Sequence, residues 1–262
     1  MDGPVLLHGF LGAPSDWDGV LEEGRARGHS WVDGACCLAL ADLATTAQVR
    51  ALGIHALAAG LLRRLHEQRR EDDRATTLVG YSLGARMALR ALAHDEQLAR
   101  CVPGHAALVG RCILVSGSGG VEPTADRTAR AKLDTDRAAV LRREGLEAFV
   151  ESWYGQPMFA SLRAHPAYES MRRRRAAGDA SWWATVVASC SPGRAPSDWA
   201  TIREAAPRIR TIVGSMDRAY VAMAERMTTL GVAPAWCIEG SGHAVHLEAP
   251  GACADAVELA CT

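Results

Sequence analysis

The sequence has no long apolar run and almost no net charge, and each of these shortages argues against a class of protein. The longest apolar stretches, such as ACCLALA, fall far short of the roughly 20 residues that a membrane-spanning helix needs. The formal net charge is −1 over 262 residues, so the charge favours neither nucleic acid nor a membrane surface as a partner. No basic and apolar leader precedes Pro4, and we expect a cytoplasmic protein without a signal peptide.

The cysteines lack the spacing of a metal site or a redox motif. There is no CxxC pair and no Cys/His cluster with metal-ligand spacing among the eight cysteines at positions 36, 37, 101, 112, 190, 237, 253 and 261. Buried free thiols in a reducing compartment are therefore the interpretation we favour. We expect neither a metal nor an organic cofactor.

Strand and helix patterns alternate along most of the chain, without an internal repeat or a low-complexity linker. Six short apolar runs predict strands: VLLHGF, ACCLALADL, TTLVG, RCILVSGSG, IRTIVGSMD and PAWCIEG. Helices are predicted after a capping Ser15 as far as Gly28, over Ala47–Glu67, Leu83–His94 and Ala219–Leu230, and from Pro250. This alternation predicts a single α/β domain whose mostly parallel sheet has helices on both faces.

Between about residues 122 and 200 the strand signals stop. This segment is helical in pattern, rich in arginine and tryptophan, and broken by Pro157, Pro166, Pro192 and Pro196. Ligands of open α/β sheets bind at the carboxyl ends of the strands. We therefore predict a helical lid, inserted within the same domain and covering those strand ends.

The segment Gly80-Tyr81-Ser82-Leu83-Gly84 lies between a predicted strand and a predicted helix. A serine between two glycines in this context matches the G-x-S-x-G nucleophile elbow, in which a tight turn exposes the hydroxyl. Small flanking residues suit the turn because it brings neighbouring backbone close. The alternative role for Ser82 is an ordinary helix N-cap.

A serine hydroxyl needs an imidazole and an acid to become reactive, and both are predicted downstream. Asp217 directly follows the strand TIVGSM, and His243 lies in a glycine-rich loop after the last strand. Both positions are at the same end of the sheet as Ser82. His246, which could instead be a surface or helix-start residue, is the weaker alternative to His243, and Asp217 could instead be a helix N-cap.

Two backbone N–H groups are candidates for an oxyanion hole. Leu83 follows the candidate nucleophile, and Phe10 lies in the HGF turn after the first strand. His8 in the same turn is interpreted as structural.

Two further motifs suggest binding but are interpreted as structural. The stretch SGSGG at 116–120 lacks the full phosphate-binding pattern, so we expect only a turn that leads into the insertion. The run Arg172–Arg175 is short and has no interleaved aromatic residues, which favours a solvated helix face over a nucleic-acid site.

Motifs along nearly the whole chain resemble one family with the α/β-hydrolase fold, the 2-succinyl-6-hydroxy-2,4-cyclohexadiene-1-carboxylate synthases of menaquinone biosynthesis. The resemblance is carried by LHGFLG, GYSLGAR, RTARAKLD, ESWYGQPMFASL, the arginine before AAGDA, and GSGHAVHLEAP. GYSLGAR and above all WYGQPMFASL are much more specific than the first and last motifs, which many α/β-hydrolases share.

The resemblance implies a lyase that eliminates pyruvate from 2-succinyl-5-enolpyruvyl-6-hydroxy-3-cyclohexene-1-carboxylate, a small substrate with several carboxylates. Ser82, His243 and Asp217 would act together as the base, and no cofactor would be needed. The implied substrate contacts are Tyr81, Arg86, Arg130, Trp153 and Arg175. Arginine suits this role because its planar fork binds carboxylates with two hydrogen bonds. A serine esterase or C–C bond hydrolase with the same triad is the alternative, followed by a non-catalytic binding protein.

Overall fold

The computed structural model describes residues 3–69 and 74–261, and its core is a six-stranded parallel sheet. The strands are β1 (Val5–Leu7), β2 (Cys36–Leu38), β3 (Thr76–Tyr81), β4 (Val109–Val115), β5 (Ile209–Gly214) and β6 (Trp236–Ile238). They lie in the order β2-β1-β3-β4-β5-β6, and every neighbouring pair is parallel. The predicted six strands are all present. The central strands are almost wholly apolar because helices cover them.

Within residues 3–69 and 74–261, twelve α-helices accompany the sheet. They are α1 (Asp18–Ala26), α2 (Thr46–Leu52), α3 (Ile54–Gln68), α4 (Leu83–Cys101), α5 (Thr124–Tyr154), α6 (Ala160–Ala164), α7 (Tyr168–Ala176), α8 (Ala180–Ser189), α9 (Trp199–Glu204), α10 (Arg218–Thr229), α11 (Val245–Glu248) and α12 (Pro250–Cys261). The strand order reverses after β2. Since parallel crossovers are right-handed, α1 lies on one face with α12, while α3 and α4 pack together on the other.

The reversal also determines where a ligand can bind. β1 and β3 are neighbours in the sheet but are followed by connections that leave in opposite directions. A crevice opens at such a switch point, outside the carboxyl ends of the two strands. The HGF turn follows β1 and the candidate elbow follows β3, so the fold brings these two motifs to the same crevice.

Several predicted boundaries differ from the structure. Ser15 does not cap a helix, because Pro14 starts a 3-10 turn over Pro14–Trp17 and α1 begins only at Asp18. The strand predicted over ACCLALADL ends at Leu38, and a 3-10 turn follows over Leu40–Asp42.

The helix predicted over Ala47–Glu67 is two helices, α2 and α3, separated at Gly53. Gly53 has φ of 58°, and a Cβ there would lie 2.3 Å from the Ser189 carbonyl oxygen. This contact between α2 and the helical insertion requires a glycine and breaks the helix. By contrast, α4 continues past the predicted His94 to Cys101.

A helical segment separates β4 from β5 and contains α5 to α9, over 124–204. We call these residues the helical insertion. Its long first helix α5 is kinked at Gly145, where φ is 83°, and packs against α7 and α8. This segment overlaps the insertion predicted over about 122–200.

All eight cysteines are free thiols, and three of them, Cys112, Cys190 and Cys253, are buried. Burial raises the pKa of each of these three thiols to about 12, so they stay protonated and unreactive at neutral pH. Within residues 3–69 and 74–261, none of the helices combines the length and the apolar character needed to cross a bilayer.

Candidate active site

Ser82 lies in a strained turn between β3 and α4. Its φ of 51° and ψ of −103° are unusual for a residue with a side chain, and such strain recurs at functional sites. A Cβ on Gly80 would lie 2.4 Å from the Gly84 carbonyl oxygen. A Cβ on Gly84 would lie 2.3 Å from the carbonyl oxygen of Leu7 in β1. The two glycines of the motif are thus needed because the turn packs against itself and against β1.

The structure brings Ser82, His243 and Asp217 into one chain of hydrogen bonds. The Ser82 hydroxyl donates to His243 Nε2 over 3.3 Å, and His243 Nδ1 donates to Asp217 Oδ2 over 2.7 Å. Asp217 and His243 are buried, with 5% and 1% exposure, so water does not compete for their hydrogen bond. Asp217 is also the N-cap of α10, because its side chain accepts from the Tyr220 N–H. The two roles considered for this aspartate are therefore compatible.

Three residues that the sequence analysis did not single out hold the histidine loop in place. The buried Ser116 hydroxyl donates to the His243 carbonyl oxygen over 2.8 Å. Glu248 accepts from the N–H groups of Gly242 and Ala244 on either side of His243, at 2.9 and 3.1 Å. Gly214, at the end of β5, permits the approach, because a Cβ there would lie 2.2 Å from the Gly242 carbonyl oxygen. None of these roles has a local sequence signal.

A cleft of about 210 Å³ opens above the Ser82 hydroxyl. Besides Ser82, five of the predicted site residues line it: Phe10, Leu83, Arg86, Arg130 and Trp153. The Phe10 ring packs edge-on against Trp153 at 4.7 Å between ring centroids, which joins the turn after β1 to the helical insertion. Leu83 is the first residue of α4, so its N–H has no acceptor within the helix.

Two arginines give the cleft its charge. Arg86, one turn beyond Ser82 in α4, donates from Nη2 to the Cys190 carbonyl oxygen over 2.7 Å. Burial, and to a lesser degree the nearby Arg130, lowers the pKa of Arg86 below its usual value, but arginine remains charged at neutral pH. Arg130 comes from α5 and is bound through its Nε to Asp134. The cleft therefore has an excess of positive charge beside the candidate base, which suits an anionic ligand.

Tyr81 and Arg175 are placed differently from the predicted substrate contacts. Neither lines the cleft. Arg175 is 6% exposed and donates from Nη2 to the buried Asp16 carboxylate over 2.8 Å, so this ion pair ties α7 to the turn before α1. The Tyr81 side chain is buried and packs against His246 at 4.1 Å between ring centroids. Both side chains contact the turn after β1: Arg175 Nη1 donates to the Phe10 carbonyl oxygen over 3.5 Å, and a Cβ on Gly9 would lie 2.7 Å from the Tyr81 ring.

His246 lies in the first turn of α11, as one interpretation expected, but it is not a surface residue. It is 1% exposed and lies between Trp17 and Tyr81. Among the residues that the structure describes, neither of its ring nitrogens has a hydrogen-bond partner. Burial lowers the pKa of His246 to about 3, so it stays neutral at physiological pH. His8 is also buried, and its Nε2 accepts from the Leu40 N–H, which fits the structural role predicted for it.

The motifs SGSGG at 116–120 and Arg172–Arg175, which suggested binding in the sequence, have structural roles. SGSGG forms the turn after β4, with Ser116 at φ of 48°, and leads into the helical insertion as predicted. In the arginine run, Arg172 and Arg173 pair with Glu169 at the protein surface. Only Arg175 departs from the predicted solvated face, because it is buried against Asp16.

Comparison with known proteins identifies the family. The family model described as "Alpha/beta hydrolase family" matches residues 5–256, and the chain belongs to this family. The fold prediction is thus confirmed. Several proteins that are similar to this chain share one name. The chain is 27% identical over 253 residues to a 2-succinyl-6-hydroxy-2,4-cyclohexadiene-1-carboxylate synthase of Citrobacter koseri, covering 97% of this chain and 91% of that one.

Two further proteins are also similar to this chain. The chloroplastic protein PHYLLO of Arabidopsis thaliana is 30% identical over 260 residues, which are 94% of this chain but only 14% of that much longer protein. A solved structure described as MenH from S. aureus superposes with a TM-score of 0.78 at 23% identity, covering 99% of this chain and 92% of the other. At that identity the superposition supports the fold. The resemblance found in the sequence motifs is confirmed by the curated synthases.

Proposed function

We propose that this protein is a carbon–oxygen lyase of menaquinone biosynthesis. Its substrate would be 2-succinyl-5-enolpyruvyl-6-hydroxy-3-cyclohexene-1-carboxylate, and its products 2-succinyl-6-hydroxy-2,4-cyclohexadiene-1-carboxylate and pyruvate. The observation that carries the proposal is the hydrogen-bonded Ser82–His243–Asp217 chain at the base of a cleft with two arginines. The names of the relatives, which cover most of this chain, support the same reaction.

In the proposed mechanism the three side chains act as a base. Asp217 holds the His243 imidazole in the tautomer that accepts at Nε2, and His243 takes the hydroxyl proton of Ser82 as Ser82 removes the ring proton next to the succinyl ketone. The electron pair moves through the ring, the bond from ring carbon to enolpyruvyl oxygen breaks, and pyruvate leaves after protonation of its enolate. The Phe10 and Leu83 N–H groups would stabilise the oxygen that becomes negatively charged.

The cleft would bind the substrate through its carboxylates. Arg86 and Arg130 would contact them directly, and Trp153 would pack against the ring. The helical insertion would act as the lid of this site. Arg175 and Tyr81 would support the walls from beneath. We propose that the partner of this protein is this small anionic substrate, that catalysis needs no cofactor, and that the enzyme acts in the cytoplasm.

Incubation of the wild-type protein with the cyclohexene substrate tests the proposal. Pyruvate release, followed through a coupled lactate dehydrogenase, should be saturable and should greatly exceed turnover of an activated aryl ester. A burst of aryl alcohol from the ester, without pyruvate from the cyclohexene, would instead favour the serine esterase. Absence of turnover with both compounds would contradict both reactions.

A further inference from the structure

The carboxylate of Asp134 lies in the wall of the cleft, where its negative charge would repel an anionic ligand. Asp134 belongs to α5, lines the cleft and is 1% exposed. A buried carboxylate is costly unless it is paired, and this one contacts two cations. Its Oδ2 accepts from Arg130 Nε over 2.8 Å, and its Oδ1 accepts from Arg137 Nη1 over 2.9 Å.

The contact with Arg130 determines which edge of the guanidinium is available. The Asp134 carboxylate accepts the hydrogen bond of Arg130 Nε. Among residues 3–69 and 74–261, the two terminal nitrogens of Arg130 make no hydrogen bond. The Arg130 side chain is 38% exposed towards the cleft. The edge formed by Nη1 and Nη2 can therefore bind a ligand carboxylate with two parallel hydrogen bonds.

The contact with Arg137 supports a second wall residue. The Arg137 guanidinium lies over the Trp153 ring, 5.0 Å from its centroid, and also donates from Nη2 to Gln156 Oε1 over 3.1 Å. A single buried carboxylate therefore positions Arg130 directly and Trp153 through Arg137.

A second ion pair on the same helix shows what a merely stabilising pair looks like. Lys132 and Asp136 are also four residues apart and 2.7 Å from each other, but their side chains are 76% and 57% exposed. Such surface pairs contribute little to stability. The contrast in burial shows that the Asp134 pairs are part of the cleft wall.

We propose that Asp134 is a positioning residue, which aims the terminal nitrogens of Arg130 at a carboxylate of the ligand. The inference rests on the proposed function only for the identity of the substrate. The direction of the expected change in anion affinity distinguishes a positioning role from a simple charge effect. Removing a negative charge beside the cleft would strengthen anion binding through the field alone, whereas losing the orientation of Arg130 weakens it.

Equilibrium binding of succinate, a dicarboxylate probe that needs no turnover, tests the positioning role. We expect Asp134→Asn to weaken succinate binding about tenfold, because an amide has a single acceptor oxygen and turns an N–H towards one of the two arginines. Asp136→Asn, on the same helix, should bind as the wild type does. Asp134→Asn binding succinate as tightly as the wild type, or more tightly, would overturn the proposal.

Arg130→Lys alone tests the carboxylate contact if Asp134→Asn does not fold, and the double variant tests the coupling if it does. Lysine keeps the charge but lacks a planar fork, so succinate affinity should again fall about tenfold. Adding Asp134→Asn to Arg130→Lys should then change affinity less than about twofold, because the two residues act as a unit. Wild-type affinity in Arg130→Lys, or a further tenfold loss in the double variant, would refute the coupling.

The outcome also separates this inference from the proposed reaction. A wild-type protein that binds succinate but releases no pyruvate would refute the lyase and leave the Asp134 role standing. A wild-type protein without saturable succinate binding would overturn the Asp134 role itself.

Discussion

The edge of the sheet and the helical insertion contribute to the same cleft in different ways. At the sheet edge, Ser82, Asp217 and His243 are placed by backbone geometry, since each follows a strand and the strand ends converge. In the insertion, Arg130 and Arg175 are placed by side-chain partners, namely Asp134 and Asp16. Single substitutions in the two regions should therefore have different effects. At the sheet edge they should lower the catalytic rate, and in the insertion they should weaken ligand binding or folding stability.

The largest effect should follow a change at the sheet edge. His243→Gln removes the proposed proton acceptor of Ser82, and kcat should fall by about 10³- to 10⁴-fold in the pyruvate-release assay. The melting temperature should change little, since the loop remains bound to Glu248 and Ser116. His165→Gln, in the insertion and away from the cleft lining, serves as the control. Retention of more than a tenth of the wild-type rate would show that the imidazole is not essential.

In the insertion, Arg175→Met should act on folding. It leaves the buried Asp16 carboxylate without its close partner, which should lower the free energy of unfolding by about 3–5 kcal/mol. Arg173→Met on the same helix breaks only an exposed pair with Glu169, and should leave the free energy of unfolding almost unchanged. Denaturant unfolding of both variants measures the difference. A stable Arg175→Met variant with a raised KM would instead restore the substrate contact implied by the family resemblance.

The buried His246 predicts how stability depends on pH. Its pKa is about 3 in the folded protein and 6.5 when exposed, so below about pH 6.5 the unfolded chain binds a proton that the folded chain excludes. The unfolding free energy should consequently fall as the pH is lowered, by about 2 kcal/mol from this residue between about pH 8 and pH 5. His246→Leu should remove this component, whereas His66→Leu at an exposed position should keep it. Equal pH dependence in all three proteins would contradict the assignment.

The smallest effect should come from Arg86. Arg86→Lys keeps the positive charge but loses the planar fork, so KM for the cyclohexene substrate should rise about tenfold with a smaller change in kcat. Arg203→Lys, on the exposed surface of α9, should leave both constants unchanged. A fall in kcat at constant KM would move Arg86 from substrate binding to the chemical step.

The contrast between the sheet edge and the insertion also explains which parts of the fold and site could be predicted from the sequence. The strands, the elbow at Ser82, and the positions of Asp217 and His243 leave local signals, because turns at strand ends require particular small or polar residues. The partners of Arg175 and Arg130 leave almost none. Asp16 is 159 residues from Arg175, and its neighbour Ser15 suggested a helix cap that does not form. Asp134 has an ordinary helical spacing from Arg130, and only burial distinguishes it from Asp136. Long-range pairing and burial are properties of the assembled fold.

The central claim is that Ser82 and its partners drive elimination of pyruvate within a cationic cleft. The most direct test is pyruvate release from the cyclohexene substrate by the wild type and by Ser82→Ala, with succinate binding measured on both proteins. We predict that Ser82→Ala binds succinate as the wild type does and loses at least about 10³-fold in pyruvate release. A Ser82→Ala protein that releases pyruvate at the wild-type rate would contradict the account.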